Sequence, residues 1–438
     1  MTDQVFASGS NFGVGVFVAH VAGANGPEAL GAFSLAYACW LVLASLHRAL
    51  VTDPMAIEND AWQDDRKRRL RSGLAAEIIL SVVAAAIFLL AGIVLVLAGG
   101  LAFKFGLGLV AIAPWLPFLV IQDYWRWLGF MHKLPGKALA NDTVFNIVQG
   151  SCFVVLFLDR NHPVVHHYAV VFVVGSWGAG AAVGAVFGLW QFSVRPALRG
   201  GVTLLRSRWY MSKWLAGQSV TAWGSSQAII LVAAFFLTPV GLGGLRAAQT
   251  LVTGPTFVLI MAGGSVGLPE ASRALADRGW RGLRRVAWGV SAAAMASIGL
   301  VSVFVFTIGS TLLRFIYGPA FARYWSSADY FAISLLIAGL GIGPILILKV
   351  SRQTRRLFAV QAVGSIVSVC TVVSFALLYK VPGVAAASAV TSAITVVLLL
   401  RYGDQARKGL IKGNLETKPD DLPPLSGDND MPAAVEFR

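Results

Sequence analysis

Charged residues are scarce in this chain. Asp, Glu, Lys and Arg make up 13% of its 438 residues, about half of their share in soluble domains. The mean hydropathy is +0.71. A water-soluble fold cannot bury that much apolar surface, whereas a hydrocarbon layer about 30 Å thick needs about 20 apolar residues from each crossing helix. The composition therefore excludes a soluble globular protein and predicts one that spans a membrane.

Cysteine is scarce as well. The three cysteines, Cys39, Cys152 and Cys370, all fall inside apolar stretches, at spacings that offer neither a zinc site nor a disulfide framework. A secretory signal is also missing by our interpretation, because residues 1–4 lack the basic segment that precedes the apolar part of such a signal. We therefore expect the first helix to remain in the protein, the cysteines to be packing residues, and no metal or cofactor to be bound.

Long polar segments are missing between the apolar ones, so no loop can hold a soluble catalytic domain. About twelve apolar stretches are long enough to be membrane-spanning helices. The predicted helices cover residues 4–22, 30–56, 73–99, 105–131, 138–158, 164–192, 209–237, 244–268, 285–313, 325–349, 357–379 and 384–401.

The basic stretch after the sixth helix divides the chain into two sets of six. We predict an all-α polytopic membrane protein with an N-terminal lobe at 1–192, a cytoplasmic basic linker at 193–208, a C-terminal lobe at 209–401 and a cytoplasmic tail at 402–438. The tail has too little apolar area to fold, so we expect it to be disordered. Because each lobe has an even number of crossings, the two lobes must be related by a parallel pseudo-repeat, around a central cavity.

The net charge of +14 does not form one surface. Lys and Arg are concentrated in alternate connections, at 66–71, 195–208, 273–285 and 352–356, and are few in the connections between these. This alternation is typical of the positive-inside bias and places both termini in the cytoplasm. A nucleic-acid-binding surface needs a contiguous basic face, which membrane spans would interrupt, so we expect no nucleic-acid partner.

Polar residues recur inside the predicted spans at helical spacing. Such residues are costly unless they face protein or a watery cavity, although Asn and Gln can simply hydrogen-bond one helix to another. Stripes on the first, fifth, seventh and eleventh helices together favour a central polar cavity. The candidate cavity residues on these stripes are Asn11, Asn146, Gln149 and Gln218.

Two arginines, Arg48 and Arg126, lie about two turns inside predicted helices. Planar guanidinium groups match phosphate oxygens, so both arginines are candidates to hold an anionic head group. Two structural interpretations remain open. Arg126 can pair with Asp123, three residues earlier on the same helix, and Arg48 can anchor its helix at the membrane surface.

Several segments resemble one family. Residues 18–23 and 26–35, the run Gln122–Arg126 followed by Asp142 and Gln149, and residues 243–250 with 268–270 resemble Wzx-type polysaccharide flippases of the multidrug/oligosaccharidyl-lipid/polysaccharide (MOP) superfamily. His20 departs from the arginine that is usual in the family, so no role is carried over to that position.

The resemblance implies a transporter of the bacterial inner membrane and not an enzyme. It implies that an undecaprenyl-pyrophosphate-linked oligosaccharide is flipped to the outer leaflet by alternating access, for cell-surface or exopolysaccharide synthesis. The implied partners are this substrate, membrane lipids, and the polymerase and glycosyltransferases of the same pathway. Proton or sodium coupling is an open alternative, with Asp123, Asp142 and Glu77 as candidate sites.

Two other functions remain open. An ion-coupled small-molecule exporter of the same superfamily would favour an acidic cavity, whereas the predicted spans hold at least as many arginines as carboxylates. A membrane glycan ligase or polymerase would need a large outer loop with catalytic residues, and the longest outer connection, near Arg314–Tyr324, is short.

Overall fold

The computed structural model describes the backbone of residues 2–57, 66–132, 134–351 and 353–416. Side chains are described over the same ranges, except at 2–11, 56, 57, 66, 101, 218, 221–226, 257–269, 272, 354 and 409–416. Every regular element in the described ranges is helical. Eight helical segments there are long and apolar enough to cross a membrane.

The first half of the chain forms six helical spans. These are α1 Thr2–Val21, α2 Gly26–His47, α3 Arg66–Ala98, α4 Gly100–Ile112 with Leu116–Met131, α5 Pro135–Leu158 and α6 Ala169–Phe192. Helix α2 continues through a π-helical turn, Arg48–Thr52, into the short helix Asp53–Ile57. Helix α4 is interrupted by a 3₁₀ turn that contains Pro114, because proline lacks the amide of an α-helical hydrogen bond.

The second half forms six more spans within the described residues. These are α7 Leu198–Ala233, the segment Pro239–Tyr317, α10 Trp325–Leu340 with Ile342–Val350, and the segment Thr354–Glu416. Gly279 divides the first long segment into α8 (239–278) and α9 (280–317), since its φ of 58° is not helical. Lys380 similarly divides the second into α11 (354–379) and α12 (381–416).

The predicted all-α fold is confirmed, but the predicted boundaries of the basic linker and of the C-terminal tail are wrong. Helix α7 starts at Leu198, so most of the predicted basic linker forms its first turns. Helix α12 continues to Glu416, so residues 402–416 are helical and not disordered. Asp404 pairs with Arg407 and Lys408 at helical spacing, at 3.6 and 2.9 Å, and such pairs support a helix. Residues 417–438 of the predicted tail lie outside the described residues.

The helices pack mainly within their own half of the chain. In the first half α3 packs on α4 and α5 on α6, and in the second half the α8–α9 segment packs on α10 and α10 on the α11–α12 segment. The halves meet where α8 contacts α1 and α2, and where α7 contacts α2 and α3. We call the two halves the N-terminal and C-terminal lobes.

Buried apolar residues show where the lobes are joined. The basic segments 66–71, 195–208 and 278–285 lie at one end of the bundle, here called the basic end. The largest apolar cluster lies towards the other end and contains residues of both lobes, among them Leu30 and Leu245. Two smaller, separate clusters lie at the basic end. The one centred on Trp125 belongs to the N-terminal lobe together with Leu204 and Leu205 of α7, and the one centred on Leu283 lies in the C-terminal lobe. The largest contact between the lobes therefore lies away from the basic end, and at the basic end, within the described residues, α7 alone packs on the N-terminal lobe.

Two glycines permit the closest approach between the lobes. A Cβ atom on Gly31 of α2 would overlap the carbonyl oxygen of Pro239, and one on Gly243 of α8 would overlap that of Pro27. The two helices thus cross backbone to backbone where each begins. Any larger side chain at this crossing would force the lobes apart.

Candidate functional site

Arg48 is held by a carboxylate on another helix. Its Nε and Nη2 donate to Oδ2 and Oδ1 of Asp123 on α4, at 2.7 and 2.6 Å, and its guanidinium carbon lies 5.1 Å from the ring centre of Trp127. Arg48 opens the π-helical turn of α2, and such turns are frequent at functional sites. Arg48 is therefore paired with α4 inside the bundle, and its interpretation as an anchor at the membrane surface stays a prediction.

Arg126 is matched in a similar way by α5. Its Nε lies 3.2 Å from Oδ2 of Asp142, while Oδ1 of Asp142 accepts from Gln122 at 2.8 Å. The alternative that Arg126 pairs with Asp123 is wrong, because Asp123 is occupied by Arg48. Spacing along α4 favoured the local pair, but the flanking helices α2 and α5 supply the actual partners.

A third pair lies beside these two. Nδ1 of His47 is 2.6 Å from Oε2 of Glu77 on α3, and both residues are buried. The three carboxylates that sequence analysis nominated for proton or sodium coupling, Glu77, Asp123 and Asp142, therefore each contact a basic side chain on another helix. Their role in coupling stays a prediction.

A cavity of about 140 Å³ brings several predicted site residues together. Its polar lining includes Arg48, Asp123, Arg126, Asp142 and Asn146, and its aromatic lining includes Tyr37, Trp40 and Trp177. The two arginines and two aspartates of this lining balance in charge. The cavity is thus polar but carries no net charge from these four side chains.

Of the other predicted cavity residues, one has a described side chain. Gln149 lies on α5 and is 2% exposed, but it does not line the cavity. The side chains of Asn11 and Gln218 lie outside the described residues. Trp125 of α4, next to Arg126 in the chain, is fully buried and donates its Nε1 proton to the carbonyl of Ala185 at 3.0 Å.

Sequence analysis missed Arg246 as a site residue. It lies on α8 about 10 Å from the start of the helix, where α8 faces α2. Its guanidinium carbon is 5.6 Å from the ring centre of Tyr37, which also lines the cavity, and its Nη1 donates to Oε1 of Gln249 at 2.9 Å. No Asp or Glu among the described side chains lies within 4.0 Å of it. Arg246 is therefore an uncompensated cation between the two lobes.

Neighbouring hydroxyl groups extend this site on α8 and α9. Oγ1 of Thr250 lies 2.6 Å from the hydroxyl of Tyr317, which is 2% exposed, and it also donates to the carbonyl of Arg246 at 2.8 Å. Arg246, Gln249 and Thr250 share one helical face at i, i+3 and i+4. We call Arg246, Gln249, Thr250, Tyr317 and Tyr37 the interlobe site.

A local signal in the sequence could have revealed Arg246. The hydroxyl oxygen of Thr238 accepts from the amide of Gly241 at 3.2 Å, and Pro239 follows as the first helical residue. Threonine before proline is a typical helix start. The prediction began the helix at residue 244, so it placed Arg246 in the first turn. The helix begins five residues earlier, at Pro239.

Metal ligation finds no support in the part of the chain that the structure describes. No group of three or more His, Cys, Asp or Glu side chains there is placed to hold a metal ion. The chemistry available at the two sites is instead that of arginine, amide and hydroxyl donors, which bind oxyanions and sugar hydroxyls.

Several solved structures share the fold of this chain. A structure described as the inward-facing conformation of a multidrug resistance MATE family transporter of the MOP superfamily has a TM-score of 0.72 and 13% identity, over 94% of this chain and 96% of that one. The lipid II flippase MurJ in an inward closed conformation has a TM-score of 0.70 and 14% identity, over 96% and 94%.

A third solved structure resembles the chain less closely. It is a MOP superfamily transporter from Pyrococcus furiosus, described as having a binding pocket of reverse polarity, with a TM-score of 0.61 and 12% identity over 94% and 95% of the two chains. The sequence itself matches no protein-family model and no curated protein. The likeness is thus one of fold, over nearly the whole chain. The protein is an all-α polytopic membrane protein with the fold of MOP superfamily transporters.

Proposed function

We propose that this protein is an alternating-access transporter that flips a polyprenyl-diphosphate-linked oligosaccharide across the bacterial inner membrane. The observation that carries the proposal is Arg246, a cation between the lobes with no carboxylate partner among the described side chains. A charge without a counter-charge in a membrane interior is costly. A diphosphate group would supply the missing charge and would accept several charge-assisted hydrogen bonds.

The arrangement of the lobes supports the direction of transport. By the positive-inside bias we assign the basic end to the cytoplasm, and at this end the clusters centred on Trp125 and on Leu283 are separate. An opening between the lobes on this side would admit a glycan, while its lipid tail stays in the bilayer. The 140 Å³ cavity is smaller than a typical ligand pocket of about 300–1,000 Å³, so the glycan would occupy the opening instead.

The ion pairs of the N-terminal lobe supply a route to coupling. Asp123 accepts hydrogen bonds from Nε and Nη2 of Arg48, so this edge of the guanidinium is not available to phosphate while the pair is intact. Protonation of Asp123 would release Arg48 towards the cavity that both residues line. A proton that binds more tightly to the state with Arg48 released would then favour substrate binding to that state.

A second candidate function is ion-coupled export of a small molecule. The cavity has aromatic walls and two aspartates, which suits a small organic cation. The fold likeness to a multidrug transporter accords with this function as well as with flipping. The two proposals differ in which residue they need: Arg246 for a diphosphate, and Asp123 or Asp142 for a cation.

The test uses purified full-length protein in phosphatidylcholine vesicles that contain a fluorescent polyprenyl-diphosphate-linked sugar. The loss of outer-leaflet fluorescence to an impermeant reductant measures flipping. Hydrogen bonds to charged groups contribute about 1.5–3 kcal/mol, so Arg246→Gln should lower flipping about tenfold to hundredfold. Arg246→Lys should fall between, because it keeps the charge and loses the fork.

Arg314→Gln is the matched control, since Arg314 is an exposed arginine at the same end of the bundle. It should flip the lipid as the wild type does. Equal flipping by Arg246→Gln and the wild type would contradict the proposal. Export of ethidium that requires Asp123 but not Arg246 would favour the small-molecule exporter.

A further inference from the structure

A second cavity lies in the C-terminal lobe, away from the interlobe site. It has a volume of about 860 Å³ and opens at the basic end between α9, α10 and α12. Its lining residues are Trp280, Arg281, Arg284, Arg285, Trp288, Pro344, Ile347, Leu400, Gly403, Asp404 and Arg407. We call it the basic pocket. All of this described lining comes from the C-terminal lobe, so the pocket does not depend on how the two lobes are arranged.

The charges of the basic pocket are unbalanced. Arg281, Arg284 and Arg285 share one face of α9, at i, i+3 and i+4, and no Asp or Glu among the described side chains lies within 4.0 Å of them. The acidic residue of the lining, Asp404, is already matched on its own helix by Arg407 and Lys408, at 3.6 and 2.9 Å. The three arginines of α9 are therefore free to bind an anion.

The rest of the lining suits a molecule with an apolar part. Trp288 continues the arginine face of α9 one turn further into the bundle, and it is 43% exposed. Leu400 of α12 is 40% exposed beside it, while Ile347 of α10 is 4% exposed and forms part of the floor. Tryptophan is enriched where helices leave the hydrocarbon region. The pocket thus has a cationic end towards water and an apolar end towards the acyl chains.

We propose that the basic pocket is a binding site for the head group of an anionic phospholipid of the surrounding leaflet. Arginine forks match phosphate oxygens, and basic pockets between membrane helices bind anionic lipid head groups. A phosphate-bearing transport substrate shares this chemistry. The resident phospholipid is favoured because the pocket is built within one lobe, whereas a transported head group must pass between two.

The bound lipid would connect three helices of the lobe. Gly403 of α12 contacts Pro344 of α10 at the floor, with the position of a Cβ 3.7 Å from that of proline, so α10 and α12 are already close there. The head group would tie both to the arginines of α9. Anionic lipid should therefore stabilise the C-terminal lobe, since a ligand stabilises the state that binds it.

The experiment measures binding of fluorescent phosphatidylglycerol to the full-length protein in a zwitterionic detergent, with fluorescent phosphatidylcholine as the neutral comparison. The pocket variant is Arg281→Gln with Arg284→Gln. The control variant is Arg273→Gln with Arg278→Gln, which removes two exposed arginines of α8 near the same end but outside the lining. The pocket variant loses charge-assisted hydrogen bonds to the phosphate that the control variant keeps, so it should bind roughly thirtyfold more weakly or worse.

The control variant should bind phosphatidylglycerol as the wild type does, and phosphatidylcholine should not compete. A variant with Arg281→Lys and Arg284→Lys, which keeps the charge, should lose less affinity and also reports on folding. Equal losses in the pocket and control variants would overturn the proposal, because they would show only the general attraction of a basic surface. Binding of undecaprenyl diphosphate that is lost in the pocket variant, is kept in Arg246→Gln and is not displaced by phosphatidylglycerol would also overturn it, in favour of a substrate site in the basic pocket.

Discussion

The two lobes differ in whether the arginines that line their sites are paired with a carboxylate. In the N-terminal lobe Arg48 and Arg126 each contact an aspartate on a neighbouring helix. In the C-terminal lobe neither Arg246 nor the α9 arginines have a carboxylate within 4.0 Å among the described side chains. Paired charges hold helices together, because removing one partner leaves the other buried and unmatched. Unpaired charges add little stability, so the difference indicates where the molecule is built to bind an anion.

The largest effect on stability is expected when one member of an ion pair is removed. Both carboxylate oxygens of Asp123 accept hydrogen bonds from Arg48. Asp123→Asn removes the negative charge and one of these acceptors, so it should lower the free energy of unfolding by about 3 kcal/mol. The double variant Arg48→Gln with Asp123→Asn should recover most of this loss. Thermal unfolding of the purified protein in detergent measures both.

The single and double variants of Arg48 and Asp123 together test whether the two side chains are coupled. Losses that simply add in the double variant would show that Arg48 and Asp123 act independently. Arg126→Gln with Asp142→Asn repeats the test on the second pair. There the recovery should be smaller, because Asp142 also accepts from Gln122 at 2.8 Å.

An intermediate effect on stability is expected for a substitution where the lobes meet. Gly31→Ala places a methyl group against the carbonyl of Pro239, and such overpacking costs about 1–3 kcal/mol. The lobes should separate at this end, so a cysteine introduced at Thr250 should react faster with a water-soluble thiol reagent. Gly299→Ala is the matched control, since nothing lies within 4 Å of its Cβ position. Equal reaction rates in both variants would show that the crossing does not close this end.

The smallest effect on stability is expected at Arg246. Arg246→Gln loses the contact with Tyr37, which is worth about 0.5–1 kcal/mol, but it also removes an unmatched charge from the interior. The free energy of unfolding should therefore change by less than about 1 kcal/mol. Undecaprenyl diphosphate should raise the melting temperature of the wild type and not of this variant. A loss as large as that of Asp123→Asn would instead make Arg246 a structural residue like Arg48.

The helices were largely predictable because their cause is local. In a run of about 20 apolar residues inside a membrane, the backbone must satisfy its hydrogen bonds within a helix. Gly279 and the Lys380–Pro382 turn lie at two breaks between predicted spans. The misplaced boundaries, at Leu198 and beyond Tyr402, fall in basic segments. Helix formation there continues past the apolar run, so hydropathy alone does not show where it ends.

The candidate site was only partly predictable. Sequence analysis selected Arg48, Arg126, Asp123 and Asp142, because charges inside spans are rare. It paired Arg126 with the wrong aspartate, since only neighbours along one helix are visible in a sequence. It also passed over Arg246, whose importance depends on which lobe faces it.

The sequence by itself therefore determined the membrane, the helices and the division into two sets of six, because hydrophobic length and charge alternation act along the chain. Only the tertiary structure decided which charges are matched. Arg48 and Asp123 are 75 residues apart, and Arg246 meets Tyr37 across the boundary between the lobes. Electrostatic energy depends on distance in space, and that distance is set by how helices from both lobes pack, at crossings such as Gly31 on Gly243.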